Sequence, residues 1–79
     1  MTSEMVRAAR MLLRWEQKDL AEASGVALST IKRLETKPGP LGAHGSTIQV
    51  MRLAMEKAGV TFIEGDTCGV QITAARGWR

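Results

Sequence analysis

Cysteine occurs once, at Cys68, so no internal disulfide can brace the fold. Histidine also occurs once, at His44, and one His with one Cys makes no zinc site. No Ser/His/Asp set, carboxylate cluster or phosphate-cradling loop is present, which argues against an enzyme. Gly39, Gly42 and Gly45 are regularly spaced but follow no strand, so a dinucleotide-binding reading fails. No run approaches the roughly twenty apolar residues of a membrane span. The first seventeen residues spread their charge and lack the apolar stretch of a signal peptide, so a cytoplasmic, reducing location is expected.

What is present fits one small domain spanning residues 1–79, with an ordinary globular composition, 44% hydrophobic and 24% charged. A chain this short buries only about 60% of its unfolded surface, which makes oligomerisation a natural aid. Eleven Lys and Arg against eight Asp and Glu leave +3, a mild lean towards an anionic partner.

Along the chain, Ser3 is expected to cap a helix from Glu4 to Arg14 with Met5, Ala8, Ala9, Leu12 and Leu13 on one face. Arg7, Arg10 and Arg14 form a separate row; Arg7 reads as solvated, and Trp15 as packing between the first two helices. A short helix over Gln17–Ala23 ends at Ser24-Gly25-Val26, where Gly25 permits a left-handed turn. Helical period resumes over Leu28–Thr36, with Ile31 and Leu34 on one side and Ser29, Arg33 and Thr36 on the other. Both prolines and three glycines mark residues 37–45 as a loop. Ser46 to Gln49 has capping-box spacing and opens a helix that stops at Gly59. Its main stripe is Ile48, Met51, Met55 and Ala58, while Val50 and Leu53 make a second apolar side. Residues 60–74 read as a β-hairpin, and the tail with Arg76, Trp78 and Arg79 as a loose basic end.

The informative segment is Gln17 to Leu34, QKDLAEASGVALSTIKRL, within a motif over 17–36. Ala21 is small where a second helix must approach, Gly25 makes the turn, and Leu20, Val26, Ile31 and Leu34 lock the two helices. The pattern Gln-x-x-Leu-Ala-x-x-Ser-Gly-Val…Ser-Thr-Ile-x-x-Leu-Glu resembles the helix-turn-helix of the Xre family, small repressors related to phage Cro and the lambda repressor. The match is close from Arg10 to Glu35 and loose through Gly59. It implies a mostly α, four-helix, lambda-repressor-like domain, here with a short C-terminal β-hairpin in place of the last helix of the phage domains. By that resemblance Gln17 opens the second helix and contacts the DNA backbone, and Leu28, Ser29 and Arg33 face the bases. It also implies that Arg10 pairs with Glu35, tying the first helix to the end of the recognition helix. Two positions depart from the family: Glu16 and Ala27 stand where Ser or Thr usually caps a helix. Ala27 cannot cap at all, at a cost of about 1 kcal/mol.

Chemically, Arg33 can fork to guanine O6 and N7, Ser29 can bond either base type, and Leu28 can meet a thymine methyl or belong to the core. Lys32, Lys37, Arg14, Thr30 and His44 suit phosphates, which fix register without reading sequence. Cys68 reads as an incidental thiol. The expected function is a homodimeric transcription regulator on a palindromic operator, its recognition helices about 34 Å apart, with no cofactor and no metal. Val50, Leu53, Phe62, Ile63 and Val70 are the expected dimer surface. The alternative is an antitoxin or anti-activator that binds a partner protein; the lack of a long extra tail favours the stand-alone regulator.

Overall fold

A computed structural model describes residues 1–72; the end of the predicted hairpin and the basic tail lie outside them. The elements run α1 (Ser3–Leu13), α2 (Gln17–Ser24), α3 (Leu28–Thr36), α4 (Gly45–Lys57), β1 (Val60–Ile63) and β2 (Gly69–Ile72). The chain is therefore mostly helical, closed by a two-stranded antiparallel hairpin.

Helix α1 starts one residue earlier than its sequence implies. Thr2, in extended conformation, is the cap and accepts from the Met5 N–H at 3.1 Å. Ser3 is fully buried, and its backbone N–H donates to the Gly39 carbonyl at 2.9 Å. Thr2 bridges Pro40 alongside, and the Glu4 carboxylate accepts from the Gly39 N–H at 3.1 Å. This tertiary pairing, which pins the 37–44 connection to the start of the chain, decides between two residues equally able to cap. The helix stops at Leu13 because Arg14 turns left-handed at φ 59°. Its buried stripe is Met5, Val6, Ala9 and Leu13. Val6 replaces the predicted Ala8, which is exposed, and Leu12 is only half-buried. The stripe turns towards Val6 because α1 packs on both α3 and the hairpin.

The α2–α3 unit follows the local expectation. Gly25 closes α2 at φ 79° with its N–H on the Ala21 carbonyl at 2.9 Å. The Ser24 hydroxyl donates to the Leu20 carbonyl at 2.7 Å and accepts from the Val26 N–H at 3.2 Å, bracing the turn. Leu20, Ile31 and Leu34 meet in the core, which fixes one helix against the other. At the start of α2 Glu16 and Asp19 form a capping box, in which the Glu16 N–H donates to Asp19 Oδ2 at 2.7 Å.

Helix α4 carries a second correction. The Ile48 N–H bonds the His44 carbonyl at 3.1 Å, so the first turn begins at Gly45. Ser46 then sits inside the helix and the predicted capping box does not form. Met51 and Met55 are fully buried, while Val50 and Leu53 are 41% and 51% exposed.

The hairpin pairs Val60 with Ile72 and Phe62 with Val70. Alternation turns Val60 and Phe62 together into the core, where Phe62 is only 7% exposed. Phe62 therefore cannot serve the predicted dimer surface. Val70 also packs against the core from across the ladder, and Ile63 is half-buried. The Arg52 guanidinium lies 5.6 Å from the Phe62 ring centre and donates to Glu56 and Glu64 at 3.1 and 2.8 Å. The Met1 amino group reaches Glu64 at 2.7 Å, binding the chain start to the hairpin turn.

Candidate nucleic-acid interface

A helix packed by Ile31 and Leu34 must present the opposite side outward. Helix α3 does so: Ser29, Lys32, Arg33 and Thr36 are exposed, as is Lys37 at its end. Its single acid, Glu35, is turned inward and 9% exposed. Arg10 holds it with two hydrogen bonds, Nε to Oε2 at 2.8 Å and Nη2 to Oε1 at 2.7 Å. Arg10 Nη1 also donates to the Trp15 carbonyl at 2.9 Å, so one guanidinium joins α1, the α1–α2 turn and α3. The charges α3 offers to solvent are therefore all positive. The Thr36 hydroxyl is spent on its own helix, donating to the Lys32 carbonyl at 2.7 Å.

Three open depressions flank this face. One, about 440 Å³, lies between the starts of α2 and α3 and is lined by Arg10, Glu16, Gln17, Lys18, Leu28 and Lys32. A second, about 430 Å³, is lined by Thr30, Arg33, Leu41, Gly42, Ala43, His44 and Thr47. A third, about 370 Å³, joins Arg33 and Leu34 to Lys37, Pro40 and Gly42. Arg33 borders both of the last two.

These depressions gather most residues singled out from the sequence: Gln17, Leu28 and Lys32 in the first, Thr30, Arg33 and His44 in the second, Lys37 in the third. Leu28 is half-buried but outside the core cluster, so it is a cleft residue. Arg14 and Ser29 line none of the three; Arg14 occupies the left-handed end of α1. Lys18, Thr47, Gly42 and Ala43 also line the clefts without having been singled out as site residues. Lys18 had a signal, as a cation next to Gln17; Thr47 had only its place three residues after His44. Arg7 is not simply solvated, since its Nη2 donates to the Glu35 carbonyl at the end of α3, 3.4 Å away.

Neither Ala27 nor His44 gives a side-chain cap to the helix it precedes. The first amide groups of α3 and α4 thus keep their positive ends open beside the clefts, where an anion is favoured. Among the described residues there is no group of His, Cys, Asp and Glu able to hold a metal ion, and no helix long and apolar enough to cross a membrane. Cys68 is exposed and free. The chain matches no family model and no curated protein sequence, so its functional reading rests on its own residues.

Proposed function

We propose that this protein is a sequence-specific DNA-binding transcription regulator that sets α3 into the major groove. One observation carries the reading: α3 exposes Lys32, Arg33 and Lys37 while its only acid is buried against Arg10. A polyanion meets attraction from Lys32 to Lys37, and the flanking clefts offer further side-chain donors at Gln17, Thr30 and His44. Arg33 reads bases, assisted by Ser29 and by Leu28 against a methyl group. Lys32, Lys37, Gln17, Thr30 and His44 hold the phosphates. Two copies bind a palindromic site, meeting through Val50, Leu53 and Ile63.

A gel-shift titration with the DNA upstream of the gene and with random DNA of equal length, at two salt concentrations, tests this. Selective shifts are expected. Arg33→Ala should cost about 1–3 kcal/mol at one base pair, whereas Lys37→Ala should weaken all sequences evenly. Weak, equal, salt-erased binding to both DNAs would sink sequence-specific recognition.

A second reading has one observation in its favour. Val50 and Leu53 are exposed three residues apart on one helix face, a place where another protein can sit. On that reading the chain is an antitoxin or anti-activator, and the same salt-erased result would put it first.

A further inference from the structure

The first cleft contains a residue that opposes the proposed activity. Among Gln17, Lys18, Leu28 and Lys32 stands the carboxylate of Glu16, whose side chain is 76% exposed. It lies 4.0 Å from Lys18 Nζ, itself 67% exposed. Of the two other ionic groups lining the cleft, Lys32 is exposed and Arg10 is already committed to Glu35. A phosphate entering this depression is attracted by Lys18 and Lys32 and repelled by Glu16. Neither arm of the capping box at this helix start needs that charge: the Glu16 N–H donates to Asp19, and the Asp19 backbone N–H requires from the Glu16 side chain only an acceptor oxygen, which glutamine also offers.

Resting on the DNA-binding reading above, we propose that Glu16 is an affinity-limiting residue. It holds Lys18 in a weak ion pair and presents a negative charge where the DNA backbone passes, lowering affinity for every sequence alike. Its effect falls on the phosphate term, so the absolute affinity drops and the ratio between specific and random DNA stays fixed. Such a residue keeps the regulator from being retained on bulk DNA.

A like charge about 5 Å from a phosphate in a water-like medium corresponds to about fourfold in affinity for each α3 that docks. Glu16→Gln keeps the backbone bond and removes only the charge. In fluorescence-anisotropy titrations against specific and random duplexes, this variant should tighten both by about that factor and steepen the salt dependence by up to about one counterion per docked helix. Glu22→Gln serves as the control for net charge. Glu22 is exposed on the same helix but lines a different groove, with Trp15, Asp19 and Ala23, and its neutralisation should leave affinity unchanged. Equal tightening by both variants would mean that only total charge matters and would overturn the proposal. So would an unchanged or weakened Glu16→Gln while the wild-type chain binds. If the wild-type chain binds neither duplex even at low salt, the DNA-binding reading fails and this inference with it.

Discussion

The most exposing test of the fold is the Arg10–Glu35 pair. Glu35→Gln removes the charge that two of the three Arg10 hydrogen bonds address. The Arg10 side chain is 11% exposed, so its guanidinium cannot simply turn to water. Stranding one member of a buried pair costs about 3–5 kcal/mol. Arg10 keeps the Trp15 carbonyl and a little solvent, which points to the lower end, about 3 kcal/mol. In a domain of this size each kcal/mol moves the melting temperature about 4–8 °C, so a drop of roughly 12–24 °C is expected. Replacing both partners by apolar residues, Arg10→Met with Glu35→Leu, removes the desolvation cost together with the attraction. That double variant should lie within about 1 kcal/mol of the wild type, the remainder reflecting the lost bond to the Trp15 carbonyl. Urea denaturation followed by far-UV circular dichroism gives all the energies, provided that the slope with denaturant is unchanged. A Glu35→Gln cost below about 1 kcal/mol, or a double variant as unstable as the worse single, would refute the argument.

Three further outcomes are expected. Gly25→Ala should cost about 1–2 kcal/mol in the same assay, purely from the left-handed backbone at φ 79°, since an added Cβ meets nothing within 4 Å; an unchanged midpoint would mean that the turn relaxes freely. Hydrogen bonds from its own N–H and that of Gly39 hold the Glu4 carboxyl below its ordinary range, and the Met1 amino group followed by Arg52 does the same for Glu64. A carboxyl depressed on folding stabilises above its unfolded pKa and loses that contribution as pH falls through the folded value. Stability should therefore hold near neutrality and decline below about 4.5, and Glu4→Gln with Glu64→Gln should blunt the decline; an undiminished acid loss in that variant would contradict it. Leu53→Asp should convert the proposed dimer to monomer in sedimentation without altering helicity, because Leu53 is 51% exposed in the single chain, and an unchanged mass would remove this face of α4 from the dimer surface.

The sequence made the α2–α3 unit legible because its determinants are local. Gly25 is at the turn, Ile31 and Leu34 set the inward side of α3, and both ends of that helix fall where the period resumes and stops. The cap of α1 was not legible, because Thr2 and Ser3 are chemically interchangeable until residues 39–40 arrive to pair with them. The facing of the hairpin was hidden for a similar reason. Apolar residues at positions 60, 62 and 63 do not say which side of a four-residue strand meets α1 and α4. Within the candidate site, Lys32, Arg33 and Lys37 follow from helical geometry alone. The clefts beside them do not, since each joins residues of different elements and loops, as Arg33 with Gly42 and Thr47, or Leu28 with Gln17.

The burial of Glu35 ties stability to electrostatics in a way neither property alone would require. A nine-residue helix carrying Lys32, Arg33 and Glu35 would, with the acid outward, set a carboxylate beside Lys32 on its solvent face. Turning Glu35 inward demands a cation inside, and Arg10 supplies it from a different helix. The same exchange fixes the end of α3 against α1 and leaves the outer face without a competing charge. The groups that orient the helix and those proposed to meet a polyanion are consequently different residues, on opposite sides of one element. Substitutions at Lys32, Arg33 or Lys37 can then alter recognition with little effect on folding, while changes at Arg10 or Glu35 act on folding first. The proposed DNA-binding reading needs that separation: exposed side chains must be free to make contacts while the helix bearing them stays held by Ile31, Leu34 and Glu35 on its inner side.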